Sequence, residues 1–228
     1  MLDEKITFDF LNLHLQEPVA LLTNWMMCAF SIYAYSQLKN IEKGDVLNWR
    51  SFFLWFSISA FFGGIGHLFF QYLDVYGKFP NWIATTISGY YAGNAIITHI
   101  TYKATKKKYA SFLVIKSIVF LLAALVSLKF AFVAIDAIIT YIMFCGVLAW
   151  RFYKKGITEM KYFICGVMVS LPSVFIFFLN INPHRWLNKD DLSHLFLLGC
   201  IYCFYLGAKK RMENKTILVS SEKMIAHI

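Results

Sequence analysis

The sequence predicts an all-α polytopic membrane protein in which seven transmembrane helices form one bundle. Hydrophobic residues make up 59% of the chain, and its mean hydropathy is +0.57. Seven apolar stretches match the roughly 20 residues that an α-helix needs to cross a hydrocarbon core about 30 Å thick. The loops between them are too short for a soluble domain. We therefore predict an external N-terminal arm (1–17), a seven-helix transmembrane domain (18–208) and a cytoplasmic tail (209–228).

The first three predicted helices carry polar residues at helical spacing. They cover residues 18–38, 51–73 and 81–102. Residues three or four apart share one face of a helix, so each helix presents a polar stripe to the bundle interior. The stripes are Glu17, Asn24 and Ser31 on the first helix; Ser59, Gly63, His67 and Gln71 on the second; and Ser88, Tyr91, Asn94 and Thr98 on the third.

The remaining four predicted helices carry fewer polar residues. They cover residues 109–128, 130–150, 159–180 and 191–208. Lys116 in the fourth helix is expected to extend its ammonium group toward the cytoplasmic interface. Asp136 in the fifth helix is costly to bury, so we expect a cation or a hydrogen-bond network beside it. Pro172 predicts a kink in the sixth helix.

The distribution of Lys and Arg predicts the orientation of the bundle. Alternating loops and ends carry five cations on one side and sixteen on the other. Because cytoplasmic loops are enriched in Lys and Arg, the N-terminus is predicted to lie outside and the C-terminus in the cytoplasm. This bias accounts for most of the net charge of +9. The expected partners are therefore membrane lipids and no nucleic acid.

With this orientation, two histidines and one carboxylate fall at a similar depth. His67 lies about 10 Å below the outer end of the second helix, and His194 lies about one turn into the seventh. Asp136 reaches this depth in the fifth helix, whereas His99 lies near the cytoplasmic end of the third. Histidine and carboxylate side chains that converge are typical ligands of a metal ion. The pattern predicts a metal site in the outer third of the membrane.

The expected ligands of this metal ion are His67, Asp190 and His194. Asp190 and His194 are four residues apart and share one face of the seventh helix. Asp191 is the alternative ligand, because it is three residues from His194. If the metal ion activates a bound water molecule, we expect Asp136 or Asp191 to accept the proton of that water. The candidate substrate-binding residues around this group are Ser59, Gly63, Asn94, Glu17 and His184.

Simpler interpretations of the same residues stay open at this point. A single histidine in a membrane helix more often forms a hydrogen bond in the core than binds a metal, and Asp190 or Asp191 alone is typical of a helix N-cap. A non-enzymatic alternative is a transporter or receptor in which Asp136 titrates and the histidines relay its proton. A further alternative is haem held between His67 and His194.

A histidine in the second helix and an acid four residues before a histidine in the seventh resemble a known superfamily. It contains alkaline ceramidases, adiponectin-type receptors and Per1-like proteins, in which a helix-two histidine and a helix-seven HxxxH motif bind zinc. The resemblance implies that His67 and His194 are ligands and that Asp190 replaces the first helix-seven histidine. The chain departs from the superfamily at Gly63, where a serine is usual, and at Asp74, which follows His67 more closely than the superfamily acid.

The residues and the resemblance together predict a zinc-dependent intramembrane hydrolase of a lipid amide or ester. Metal-bound water is the expected nucleophile, and the substrate is expected to arrive sideways between helices. The segment from Asn182 to Gly199 also resembles the end of uncharacterised bacterial membrane proteins. That second resemblance implies a bacterial cell (inner) membrane.

Overall fold

The computed structural model describes residues 6–38 and 44–225, with side chains described as far as residue 214. Parts of the predicted N-terminal arm and tail, at residues 1–5 and 226–228, lie outside the described residues. Within the described residues the chain is mostly helical, as predicted. Its seven long helices are Pro18–Gln37 (α1), Asp45–Leu68 (α2), Phe79–Ile97 (α3), Lys103–Ser127 (α4), Ala131–Lys154 (α5), Met160–Phe178 (α6) and Lys189–Ile225 (α7).

Five of these helices, α2, α4, α5, α6 and α7, are long and apolar enough to cross a membrane. Helices α1 and α3 have 20 and 19 residues, so they have the length, but they are not among the helices apolar enough to cross a membrane. Buried examples are Asn24 on α1 and Thr86 on α3. Helix α4 is the least covered, and Ile115, Val119 and Val126 on it are largely exposed. An apolar outer surface of this kind is suited to contact with lipid.

The predicted N-terminal arm contains a β-hairpin that the all-α prediction misses. Strands β1 (Thr7–Phe10) and β2 (Leu13–Gln16) pair antiparallel. Leu11 and Asn12 join them with φ angles of 50° and 61°, as in the type I′ turn that suits a two-residue hairpin loop. The Glu17 amide donates to the Ile6 carbonyl at 2.8 Å. The hairpin therefore holds the residue that precedes α1 in a fixed position.

The ends of several helices differ from the prediction. Helix α2 begins at Asp45 and ends at Leu68, and a short turn (Phe70–Leu73) and a 3-10 helix (Asp74–Lys78) lead into α3. His67 thus lies in the last turn of α2 and not two turns inside it. The glycines at 63, 64 and 66 lower the helix propensity just before this point. Helix α7 continues through most of the predicted tail, as far as Ile225.

Aromatic side chains fill one half of the bundle. Trp49 on α2 stacks on Phe163 of α6 with ring centroids 4.4 Å apart, and Phe204 of α7 lies 5.2 Å from Trp49. All three are almost fully buried. In a membrane, such packing stabilises helix association through dispersion contacts, because lipid is itself apolar. This close packing leaves the opposite half of the bundle as the place for a cavity.

A polar network closes the end of the bundle next to this aromatic core. Arg211 Nε donates to Asp45 Oδ2 at 2.7 Å, and His99 Nε2 lies 3.2 Å from the same oxygen. Burial raises the pKa of Glu159, but its backbone amide, the Asn214 amide and the Arg211 charge outweigh that effect and hold the pKa below its usual range. His99 therefore belongs to this network and not to the group of His67 and His194.

Lys116 and Asp136 form a buried ion pair between α4 and α5. Lys116 Nζ lies 2.5 Å from Asp136 Oδ1, and both residues are buried. The expected extension of Lys116 toward the cytoplasmic interface is therefore wrong. Pairing with an acid at the same depth satisfies both charges inside the protein, which is less costly than leaving either one alone in the membrane.

Candidate functional site: a metal centre at the polar end of a cavity

The hairpin and α2 bring Glu17 and His67 together. The His67 Nδ1 group lies 2.9 Å from Glu17 Oε2, and the side chains are 11% and 4% exposed, respectively. A carboxylate accepts hydrogen bonds and does not donate them when ionised, so His67 donates from Nδ1. This hydrogen bond leaves the lone pair of Nε2 for another partner. A histidine held by a carboxylate in this way is typical of metal sites.

Asp190 joins Glu17 and His67 from the first turn of α7. One potential ligand atom from each of the three residues lies within 4.8 Å of the other two. Two ligands of one zinc ion are separated by at most about 4.2 Å, which is twice a bond of about 2.1 Å. The three groups are therefore within a small side-chain adjustment of a zinc site.

His194 lies one turn further into α7 and is held from α1. Its Nδ1 lies 2.9 Å from Thr23 Oγ1 and 3.4 Å from Asn24 Nδ2. The Thr23 hydroxyl also contacts the Val19 carbonyl at 3.0 Å. His194 Nδ1 thus lies between a hydroxyl and an amide of α1, and the tautomer of the ring decides whether it donates to Thr23 or accepts from Asn24.

The two imidazole rings face one region of space. Their centroids are 6.3 Å apart and their planes are nearly perpendicular, at 83°. A metal ion midway between them would lie about half of 6.3 Å from each centroid, which fits a bond of about 2.0–2.1 Å to a ring nitrogen. The centroid distance leaves room for one ion between the rings, but His194 lies outside the group of Glu17, His67 and Asp190 whose ligand atoms are all within 4.8 Å of one another.

Asp190 and Asp191 have different surroundings, which the sequence alone does not distinguish. Asn188 Oδ1 accepts from the amides of Asp190 and Asp191 at 2.8 and 3.1 Å. The Asn188 amide in turn donates to Asp191 Oδ2 at 3.0 Å. This reciprocal pair is a capping box at the start of α7. Asp191 is therefore committed to the helix cap, and Asp190 is the carboxylate that lines the cavity.

A cavity of about 350 Å³ opens beside these groups. Its polar end is lined by His67, His194, Asp190 and the amides Asn24 and Asn81. The remainder is mostly apolar. Its apolar lining comes from α5, α6 and α7 (Val133, Ala134, Ala137, Ile138, Val167, Leu171, Val174 and Leu197), with Ser170, Ser173 and Ser193 among these residues. A volume of this size falls in the range of small-molecule sites. The shape separates a polar end from a long apolar wall.

The cavity lies where α5 and α6 separate. Helix α5 packs against α6 along Tyr141–Lys154 and diverges from it along Ala131–Thr140. Residues Tyr141–Leu148 form a π-helix, a feature that often marks a functional region, and Tyr141 lines the cavity. Phe130 and Phe177 approach each other across the gap with ring centroids 5.6 Å apart. This ring contact bridges the gap between the two helices.

Several residues predicted for the site do not line this cavity. The Asp136 carboxylate is paired with Lys116, and Asn94 donates to Asn48 Oδ1 at 2.9 Å in the contact between α3 and α2. His184 accepts from the Trp186 amide at 3.1 Å in an exposed turn. Ser59 Oγ lies 2.6 Å from Thr85 Oγ1, behind the cavity wall. These side chains stabilise local structure, whereas Glu17 and Gly63 lie at the site.

Sequence reasoning missed four residues at the site. Thr23 contacts His194, and Asn188 caps the start of α7. Lys78 and Lys189 line the cavity. Thr23 directly precedes Asn24, a residue of the predicted polar stripe, and Lys189 directly precedes the predicted ligand Asp190. Their position next to these residues is the feature of the sequence that could have identified them. Lys78 was counted only for orientation, and its place depends on the 3-10 helix after α2.

Comparison with known proteins places the chain in a family without assigning an activity. The model of DUF6962, a family of unknown function, matches residues 19–213. The chain belongs to this family. No curated protein and no solved structure matches it. The matched range begins just after Glu17 and includes His67, Asp190 and His194.

Proposed function

We propose that this protein is a zinc-dependent intramembrane hydrolase of a lipid amide or ester. The observation that carries the proposal is the pair of histidines at the polar end of the cavity. Each has Nδ1 held by a neighbour, at 2.9 Å from Glu17 for His67 and at 2.9 Å from Thr23 for His194. Their ring centroids are 6.3 Å apart, and Asp190 lines the same cavity.

The donor set is one that zinc accepts, and non-haem Fe(II) accepts the same set, so the choice of zinc rests on the hydrolytic reaction proposed here. Two imidazoles and one carboxylate leave an open position, which is the pattern of catalytic zinc sites. His67, His194 and Asp190 would hold the ion, and Glu17 would orient His67. When bound, zinc supplies a water whose pKa is lowered to about 7. This arrangement agrees with the resemblance to the ceramidase and adiponectin-receptor superfamily.

The residues of the chain then bind the substrate and handle the protons. The acyl chain lies along the apolar wall of α5 and α6, which brings its carbonyl carbon to the polar end. The water oxygen bonds to that carbon, and the C–N or C–O bond breaks to give a fatty acid and an amine or alcohol. Glu17, which is not one of the three ligands, would accept the proton of the water and return it to the leaving group.

The proposal includes a seven-span topology in a bacterial cell membrane. In it α1 and α3 also cross the membrane, because both pack along α2 and bury polar side chains such as Asn24 and Thr86. The N-terminal hairpin then lies outside and the metal centre lies in the outer leaflet. The excess of Lys and Arg on the opposite side supports this orientation.

Hydrolysis of a panel of lipid amides and esters by the detergent-purified protein tests the proposal. We expect release of fatty acid that stops after treatment with a chelator and returns when zinc is added. His67→Ala and His194→Ala should each reduce the rate by at least about a hundredfold, since the ligand set is broken. His184→Ala is the matched control, because His184 lies in an exposed turn. Zinc-independent release, or release that survives both substitutions, would overturn the mechanism.

A further inference from the structure

The two strands of the N-terminal hairpin place their apolar residues on one face. Directly paired residues of antiparallel strands point to the same side of a sheet. Phe8 is paired with Leu15, and Phe10 is paired with Leu13. Residues two apart in one strand also point to the same side, so these four side chains share a face. The hairpin therefore has an apolar face.

The opposite face of the hairpin is polar. It carries Thr7, Asp9 and His14, with Gln16 at the end next to α1. His14 Nδ1 lies 2.9 Å from Asp9 Oδ1, and both side chains are more than half exposed. An exposed polar pair of this kind is suited to contact with water. The hairpin is therefore amphipathic.

The described part of the chain covers only the half of the apolar face that adjoins α1. There Leu15 is buried and Phe8 is partly buried. Phe10 and Leu13, which lie about 7 Å further along the strands, are 58% and 40% exposed. Leu11 in the turn is 78% exposed. Single exposed apolar side chains are ordinary on a protein surface, but Phe10, Leu11 and Leu13 are adjacent and form one apolar hairpin tip.

The hairpin is attached next to the end of a helix that is apolar enough to cross a membrane. The His14 amide donates to the Tyr72 hydroxyl at 2.9 Å, and Tyr72 lies four residues after Leu68, where α2 ends. Tyr72, Leu73 and Tyr76 in this connection are exposed. Tyrosine is enriched where membrane-spanning helices meet the lipid headgroups. The hairpin tip is thus continuous with a surface that suits the boundary between membrane and water.

The charge of the hairpin indicates which lipids it suits. Residues 7–16 contain no Lys or Arg, and Asp9 is their single carboxylate. These residues therefore offer no cation to an anionic headgroup. Binding of such a segment to a membrane depends on the burial of apolar side chains.

We propose that the hairpin tip inserts into the interfacial layer of the adjacent membrane leaflet, with the polar face of the hairpin toward water. The partner is the boundary between the headgroups and acyl chains of zwitterionic lipids. The Glu17 amide closes the hairpin on the Ile6 carbonyl at 2.8 Å. Insertion of the tip therefore also fixes the residue that contacts His67. The inference depends neither on a bound metal nor on hydrolysis.

Cysteine labelling in vesicles of palmitoyl-oleoyl-phosphatidylcholine tests the inference. Phe10→Cys and Leu13→Cys should react with a membrane-impermeant maleimide about tenfold or more slowly than Asp9→Cys, because the reactive thiolate forms poorly away from water. Asp9→Cys is the matched control, since Asp9 precedes Phe10 but lies on the polar face. Each rate is expressed relative to the total labelling in denaturing detergent. Equally fast labelling of all three variants would overturn the inference.

Two controls define the origin of the protection. The native cysteines lie within α1, α5, α6 and α7, and the wild-type chain measures their background. Replacing a third of the lipid with phosphatidylglycerol should leave the ratio of rates unchanged, because apolar burial and not headgroup charge holds the tip. Protection that appears only with the anionic lipid would contradict the inference.

Contact with a second copy of the chain is the alternative source of protection. Reconstitution at fewer than one chain per vesicle removes such a contact but leaves the lipid in place. We expect Phe10→Cys and Leu13→Cys to stay protected at this dilution. Fast labelling of both after dilution would overturn the inference and indicate contact between copies.

The wild-type protein allows a measurement that needs no substitution. It is reconstituted with a phosphatidylcholine that carries a diazirine near the glycerol end of an acyl chain. Illumination should attach this lipid to the peptide that contains residues 10–13, as mapped by mass spectrometry. Attachment to the long helices with none in residues 10–13 would overturn the inference.

Discussion

Asp190 and Asp191 differ in what their carboxylates contact, although they are neighbours in the sequence. Asp190 lies with Glu17 and His67 in the group of potential ligands. Asp191 accepts from the Asn188 amide at 3.0 Å and completes the capping box of α7. Replacing each in turn should therefore affect different properties.

Asp190→Ala is expected to remove most of the bound zinc while it leaves the thermal unfolding of the protein nearly unchanged. Asp191→Ala should lower the free energy of unfolding by about 1 kcal/mol, because it removes one half of a helix cap. It should keep most of the zinc. The two measurements are metal content and unfolding in detergent. The opposite assignment, with zinc lost only in Asp191→Ala, would contradict the capping role.

The sequence identified most of the site at the level of residue types. His67, Asp190 and His194 were selected because helical spacing and depth place them together, and Glu17 was selected as a nearby polar residue. Depth alone also selected Asp136, which faces α4 and pairs with Lys116. The spacing of residues along a helix shows which of them share a face, but it does not show which neighbouring helix that face contacts. Asn94 and Ser59 were misplaced for that reason.

At the level of elements, α2 approaches α1 and α3 closely at Gly63. A Cβ at this position would lie 2.7 Å from Asn24 Oδ1 and would also overlap the Asn81 amide. Asn24 Nδ2 lies 3.4 Å from His194 Nδ1, so a shift of Asn24 would also displace His194, a ligand of the proposed metal centre. Glycine at this position is required by space and not by backbone conformation.

Gly63→Ala is therefore expected to destabilise the protein by about 1–3 kcal/mol through overpacking and to weaken zinc binding. Gly89→Ala is the matched control, since a Cβ there meets nothing nearer than 3.9 Å. Thermal unfolding and zinc affinity should both separate the two variants. Equal behaviour of the two alanine variants would contradict the close approach at Gly63.

The ion pair between α4 and α5 makes a further prediction at this level. Asp136→Leu leaves the Lys116 charge buried without its acid, which should cost about 3–5 kcal/mol of stability. The double variant Lys116→Met/Asp136→Leu should recover most of that loss, because an apolar pair of similar volume removes both charges. Unfolding in detergent measures both. A double variant as unstable as the single one would show that the charges have a role beyond mutual pairing.

The local signals of the sequence explain which elements could be predicted. Long apolar runs predicted the helices, and five of them have the length and hydropathy of membrane spans. The hairpin was missed because its turn, Leu11–Asn12, lacks the glycine that usually marks such turns. The π-helix at Tyr141–Leu148 and the 3-10 helix at Asp74–Lys78 were missed because they depend on packing and not on an apolar pattern.

At the level of the whole molecule, the bundle divides into two halves with different chemistry. One half is filled by aromatic packing around Trp49 and is closed by the network of Asp45 and Arg211. The other half contains the cavity, with a polar end and an apolar wall. The first half fixes the helices at one end, so that α5 and α6 can separate at the other. This division places the proposed reaction centre at the end of the bundle where α5 and α6 diverge.

Metal content of the detergent-purified protein tests the central claim most directly. Elemental analysis of protein prepared without chelators should find close to one zinc per chain, with most of it lost in His67→Ala and in His194→Ala and retained in His184→Ala. Absence of metal from the wild-type protein would contradict the account and would favour a transporter or receptor whose buried Asp136 binds a proton or solute. Zinc that stays bound in both histidine variants would contradict the assignment of the ligands.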